Sequence, residues 1–195
     1  MSEPAEPRDP AEPREPAGPH DPAEGLRLLR WTMTTGSSGT ARAAVVLAAG
    51  DHQWEATAEK AGAIGSLYDA VDAALEDVLG GHVRLVAFDV HAMGETAGAD
   101  ALVELTVEPP VTATGERAGG RYAGNARHVN LVAACAEAYL AAIRALLADG
   151  AWAGATEAAG NARLAELRAR AERAGGRAEL DESQADDLGG SWFDR

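Results

Sequence analysis

The sequence predicts an α+β fold of two βββα-type units, with helices packed on one face of antiparallel sheet and an extra C-terminal helix. Three strand-like stretches precede a stretch of helical periodicity, and the same order then occurs a second time. Each helical stretch ends at glycine, the first at Gly80 and Gly81 and the second at Gly150. Repetition of one pattern therefore indicates two similar units.

Six strands are expected, because short runs of apolar and β-branched residues partly alternate with polar ones. Gly50 and Asp51 separate two of these runs closely enough for a hairpin. The first set comprises residues 26–35, 42–49 and 52–59, and the second comprises residues 83–90, 101–107 and a short strand near Arg121 and Tyr122.

Two helices should cover these sheets. Residues 64–79 carry apolar side chains at helical spacing, and their acidic residues are interpreted as a solvated face. That face comprises Asp69, Asp72, Glu76 and Asp77. Residues 131–147 form the second apolar helix, in which Cys135 is expected to be a small buried residue. Residues 156–174 are rich in Ala, Arg and Glu and predict an exposed helix.

Composition divides the chain into three parts. Residues 1–24 hold seven of the nine prolines and many carboxylates, so they are expected to be a disordered tail. Residues 25–150 have the pattern of one globular domain, and residues 151–195 are expected to be a charged helix with a disordered tail.

The net charge of −14 argues against two classes of partner. Nucleic acid and anionic membrane surfaces are bound through Lys and Arg, so neither is expected here. No long apolar run and no signal peptide are found, which favours a cytoplasmic protein. With one cysteine and scattered histidines, neither a metal site nor a cofactor is expected.

Three segments carry a resemblance to a known family. Residues 59–68 contain a glycine turn before the first helix, residues 85–103 contain His-Ala-Met and Gly-Ala-Asp-Ala elements, and residues 124–140 combine a glycine turn with a helix that includes Ala-Tyr-Leu. In order and spacing they resemble the C-terminal allosteric (dimerisation) domain of 2-isopropylmalate synthases. The resemblance implies a homodimer that binds leucine or a similar small metabolite between its two units.

The same resemblance suggests which residues contact the effector. They come from the turn, the fourth strand and the fifth strand, and would offer an apolar pocket with backbone polar groups. The candidates are Gly62, Ile64, Leu85, Phe88, Ala92, Ala101 and Val103.

The turn departs from the family pattern, and this leaves two alternatives open. Lys60, Ala61 and Ala63 replace residues of a Gly-Asn-Gly-Pro turn, and Ala126 replaces a glycine in the second turn. A scaffold protein with a decayed ligand site would explain these changes. An accessory subunit that docks on a separately encoded isopropylmalate or citramalate synthase chain is the other alternative.

Catalysis by this chain alone is not expected. The synthase reaction belongs to a metal-binding barrel of roughly 250 residues, for which the chain has no room. Its five histidines form no His-x-His pair, and no nucleophile elbow or phosphate loop is found. The sequence therefore predicts a regulatory domain with no catalytic residues.

Overall fold

The computed structural model describes residues 25–95 and 98–188 of the chain. The tail predicted at residues 1–24 lies outside the described residues, as do residues 189–195 of the disordered tail predicted at residues 175–195. Residues 175–188 of that tail are part of a helix instead. Over the described residues, the structure confirms the α+β fold with two antiparallel three-stranded sheets, their helices and a C-terminal helix.

The first sheet has the order β1-β2-β3 and the second has the order β4-β5-β6. Every neighbouring pair is antiparallel. The strands are β1 (Arg27–Thr35), β2 (Thr40–Ala49), β3 (His52–Ala61), β4 (Arg84–Ala92), β5 (Ala101–Glu108) and β6 (Tyr122–His128). β6 begins where the sequence predicts a short strand, but it continues through the segment that resembles a glycine turn.

In the described part of the chain, four α-helices accompany the sheets: α1 (Ala63–Ala74), α2 (Glu76–Leu79), α3 (Leu131–Leu147) and α4 (Ala155–Leu188). Two short 3-10 helices lie at Gly115–Ala118 and Gly150–Trp152. The helix expected at residues 64–79 is broken at Leu75, whose φ of −101° and ψ of 10° leave the helical region. α4 is longer than the predicted 156–174 and packs mainly against α2.

The two units repeat a detail of strand geometry. The register between β1 and β2 shifts between Leu28 and Arg30, and the register between β4 and β5 shifts between Leu85 and Ala87. Each shift is a β-bulge, which adds a residue to the edge strand and bends it. The edge strands of both units are therefore bent at matching positions.

The core lies where α1 and α3 cover the sheets and contact each other. Val45 and Leu47 of the first sheet and Val103 and Val107 of the second are fully buried beneath these helices. Burial of one such aliphatic side chain stabilises the fold by about 1.5–3 kcal/mol. Cys135 is buried in the same core, as the sequence predicted.

Gly124 lets β6 approach α3 closely. A Cβ atom at this position would lie 2.1 Å from the Ala138 carbonyl oxygen and 2.4 Å from the Ala142 backbone nitrogen. Real side chains do not tolerate such distances, so the strand can lie directly on the helix backbone only with glycine there.

Candidate functional site

The glycine turn joins β3 to α1 and is held rigidly. Gly62 has a φ of 85°, a conformation that favours glycine, and its N–H donates to the Gly39 carbonyl at 3.0 Å. The buried Ser66 hydroxyl lies 2.8 Å from the Ala41 carbonyl and 3.0 Å from the Gly62 carbonyl. These contacts tie the turn to the first sheet.

No side chain caps the N-terminus of α1, whereas Asn130 caps α3. The Asn130 side chain accepts hydrogen bonds from the Val132 and Ala133 N–H groups at 2.9 and 3.3 Å. Gly62 occupies the capping position of α1 and has no side chain to do this. Backbone N–H groups in the first turn of α1 therefore remain available to an anionic group.

Lys60, one of the departures from the family turn, is directed toward α1. Its Nζ lies 2.9 Å from Asp69 Oδ2, and its side chain passes close to Gly65. The Lys60 and Asp69 side chains are 53% and 32% exposed, so this pair contributes little to stability. The Asp69 carboxylate therefore balances the positive charge that Lys60 places beside the turn.

Five of the seven candidate residues share one face of the second sheet. Cross-strand neighbours project to the same side, and Ala92 lies opposite Ala101 at one end of β4. Phe88 lies opposite the buried Leu105, and Leu85 lies opposite the buried Val107. The structure therefore brings Leu85, Phe88, Ala92, Ala101 and Val103 together on the helix-facing side of the sheet.

This face is covered by helices only in part. Val103 is fully buried, but Phe88 and Leu85 on the edge strand are 40% and 43% exposed. Val90, which pairs with Val103 on the same face, is also 43% exposed. An apolar strip therefore runs along β4, and we call its residues Leu85, Phe88, Val90 and Ala92 the β4 surface.

Ile64 lies on the same stripe of α1 as Tyr68, and Gly62 precedes the helix at its N-terminus. The ring of Tyr68, one helical turn after Ile64, meets the Phe88 ring edge-on with centroids 6.4 Å apart. This contact links α1 with β4. Ile64 is half-buried, and Gly62 is exposed at the beginning of the helix.

Asp72 is the main polar residue that the sequence prediction misplaced. It was expected on a solvated face with Asp69, Glu76 and Asp77, but it is only 3% exposed, whereas Glu76 and Asp77 are exposed. Asp72 lies two turns after Ile64 and one after Tyr68, on the stripe of α1 that faces the second unit. The spacing of Asp72 from Ile64 and Tyr68 was the sequence signal that could have predicted its burial.

Asp72 belongs to a hydrogen-bonded cluster between the units. The Tyr139 hydroxyl of α3 donates to Asp72 Oδ1 at 2.8 Å, and His82 Nδ1 lies 3.5 Å from Asp72 Oδ2. Burial raises the pKa of Asp72 to about 7, although the Tyr139 hydrogen bond and the nearby His82 and Lys60 oppose this, and Asp69 adds to it.

Two tyrosines complete the contact between the helices. Tyr68 and Tyr139 stack with ring centroids 4.0 Å apart and an interplanar angle of 13°. The Tyr68 hydroxyl donates to the Cys135 carbonyl at 3.4 Å. Burial raises the pKa of both tyrosines, so they remain neutral donors.

Two open grooves lie elsewhere on the molecule. One, of about 470 Å³, lies near Arg84 and Glu108, and the other, of about 620 Å³, lies between β1, β6 and α3. Neither groove is lined by any of the seven candidate effector residues.

Within residues 25–95 and 98–188, no three His, Cys, Asp or Glu side chains are grouped closely enough to hold a metal ion. Over the same residues, no single helix is long and apolar enough to cross a membrane. α3 and the segment that follows it to Ala174 satisfy length and composition only as a pair bent by 87°.

The structure thus defines a duplicated α+β domain with an open apolar edge strand, the kind of surface through which protein domains associate. Residues 16–147 match the family model of the LeuA allosteric (dimerisation) domain. The chain belongs to this family, as the sequence resemblance indicated. No curated protein matches it.

Proposed function

We propose that this chain is a regulatory domain that forms a homodimer through the β4 surface and binds a branched-chain amino acid or related metabolite beside it. The observation that carries the proposal is the uncovered apolar face of β4. The family to which the chain belongs is described as an allosteric and dimerisation domain.

A comparison of the two edge strands supports a second copy as the partner. In the first unit, Leu28, Trp31 and Met33 project from β1 and pack against the core. Their counterparts on β4 are Leu85, Phe88 and Val90, each at least 40% exposed. Because the surface is apolar, a two-fold axis through β4 would cover it on both copies at once.

The ligand would lie between the glycine turn and the β4 surface. The free N–H groups at the beginning of α1 suit a carboxylate, and Ile64 and Phe88 offer apolar contacts to an aliphatic side chain. The complete set of proposed contacts is Gly62, Ile64, Leu85, Phe88, Ala92, Ala101 and Val103. In a dimer, the second copy would cover the ligand region on the side of the β4 surface, which is exposed in a single chain.

Titration calorimetry tests the ligand part of the proposal. Leucine, isoleucine, valine and their 2-oxo precursors are titrated into the full chain, and one of them is expected to release or absorb heat saturably. Ile64→Asn should abolish that signal. Val132→Asn provides a matched control, because Val132 is the half-buried second residue of α3 as Ile64 is of α1.

The turn variants distinguish a sensor from a scaffold with a decayed site. If no compound binds the wild-type chain but Lys60→Gly with Ala63→Pro restores leucine binding, the scaffold interpretation replaces the sensor. If the chain stays monomeric and co-purifies with a synthase catalytic chain, the accessory-subunit interpretation replaces the homodimer.

A further inference from the structure

The groove of about 620 Å³ is unusually basic for this chain. It lies between the edge strands β1 and β6, with α3 as its floor. The residues that give it its chemistry are Arg27, Arg30, Trp31, Arg127, Leu140 and Arg144. Glu137 is the one acidic residue among those that line it, whereas the whole chain carries a net charge of −14.

Two of the four arginines are held by contacts within the chain, and the other two are available to bind an acidic group. Arg127 pairs with Asp100 at 2.7 Å, and the Nε of Arg144 donates to the Leu26 carbonyl at 2.6 Å. Arg27 and Arg30 are exposed, and neither forms an ion pair with any residue in the described part of the chain. The groove thus offers cationic groups beside the half-buried ring of Trp31.

The chain itself contains a segment of complementary chemistry. Proline occurs at every third position from Pro4 to Pro22, and an acidic residue precedes each proline except Pro19, which follows Gly18. A polyproline II helix has three residues per turn. In that conformation the prolines would form one stripe and the carboxylates another along the whole segment.

We propose that residues 3–24 bind this groove of their own chain as an acidic polyproline II ligand. Their carboxylates would meet Arg27 and Arg30, and a proline would pack on the Trp31 ring. Aromatic-lined grooves bind polyproline II segments because the ligand loses little conformational entropy, and charge-assisted hydrogen bonds to arginine select acidic ones.

The connectivity supports binding within one chain. Arg144, which lines the groove, holds the carbonyl of Leu26 at its rim, so the acidic segment begins two residues away. At about 3.1 Å per residue, two or three proline repeats already span the five groove residues of β1. Direct attachment also gives the segment an effective concentration of the order of millimolar.

Limited trypsin digestion of the full chain tests this proposal. Arg8 and Arg14 lie within the segment, and neither precedes proline, so cleavage after each can be followed by mass spectrometry. The double variant Arg27→Gln/Arg30→Gln should be cleaved at these sites faster than wild type, by about tenfold if each contact has ordinary surface strength. High salt should accelerate cleavage of wild type toward the same rate.

Two further variants make the test specific. Arg42→Gln removes an exposed arginine from β2, outside the groove, and should leave the cleavage rate unchanged. Replacement of Glu6, Glu12 and Glu15 by Gln should release the segment and so raise the cleavage rate of the wild-type chain. The same replacement should not raise the cleavage rate of the double variant any further. Equal cleavage rates in all variants would overturn the proposal, and protection that is lost on dilution would overturn binding within one chain.

Discussion

Asp72 is a residue through which the two units are coupled. It lies on α1, accepts a hydrogen bond from Tyr139 on α3, and faces His82 in the connection between the units. A buried carboxylate is costly when ionised, and the raised pKa near 7 expresses that cost. The protonation state of Asp72 therefore affects how firmly the helices pack.

The sign of the resulting pH dependence follows from the folded and unfolded pKa values. The pKa of Asp72 is about 7 in the folded state and 3.8 as the ordinary value, so the folded state retains the proton over this range. The stability that Asp72 contributes is present below pH 3.8 and is lost as pH rises toward 7.

Asp72→Asn should therefore stabilise the protein above pH 7. Asparagine keeps an acceptor for Tyr139 and removes the buried charge, so the free energy of unfolding should rise by at most on the order of 4 kcal/mol. The gain should shrink as pH falls toward 4. Thermal unfolding between pH 4 and pH 8.5 measures this, with Asp69→Asn as control; parallel curves for wild type and Asp72→Asn would contradict it.

Gly124→Ala should destabilise the fold through a backbone clash. The added methyl would meet the Ala138 carbonyl oxygen at 2.1 Å, so β6 or α3 must move, at a cost of at least about 1–3 kcal/mol. Gly119→Ala is a suitable control, since nothing lies within 4 Å of its added Cβ and its φ is −115°. Equal midpoints of urea unfolding for the two variants would disprove the close-packing account.

Among the elements, β4 is the one on which the proposed self-association rests. Its helix-facing residues Phe88 and Val90 remain exposed, although the corresponding part of β1 packs against the core. An uncovered edge strand is also a template for pairing with another chain. Self-association through β4 would cover both the apolar side chains and this edge.

Phe88→Glu should convert a dimer to a monomer, because two carboxylates would be brought into an apolar interface. Light scattering should give twice the chain mass of 20.1 kDa for wild type and about half that value for the variant. Ala87→Glu places the same charge on the opposite face of β4 and should leave the dimer intact. An unchanged mass for Phe88→Glu would exclude the β4 surface.

Elements with strong periodicity were predictable from the sequence, and elements decided by tertiary contact were not. β2 and α3 have regular apolar spacing and occur where they were expected. β6 contains Gly124 and Asn125, which are poor strand formers, and it is stabilised by pairing with β5 and packing on α3. The break at Leu75 likewise has no glycine or proline to signal it.

The face on which the β4 and β5 candidates lie could be predicted from the sequence, but its exposure could not. Alternation along β4 and β5 places their apolar residues on one face, and the structure has them there. The exposure of that face depends on which helix covers it, and no local pattern encodes this. The effector role of Gly62, Ile64, Leu85, Phe88, Ala92, Ala101 and Val103 stays a prediction.

At the scale of the whole molecule, α1 and α3 connect three regions with separate chemistry. α1 carries the turn and faces the β4 surface, and α3 forms the floor of the basic groove beside β1. The Asp72 and Tyr139 contact joins the two helices. A ligand that shifts α1 would therefore alter the packing of α3.

Thermal unfolding of the full chain with and without leucine, isoleucine, valine and their 2-oxo precursors tests the proposed metabolite binding. A ligand at a hundredfold excess over its dissociation constant stabilises the native state by about 2.7 kcal/mol, which is readily visible as a raised melting temperature. Such a shift is expected for one of these compounds, and it should be smaller in Ile64→Asn than in Val132→Asn. An unchanged melting temperature with every compound at millimolar concentration would contradict metabolite binding by this domain.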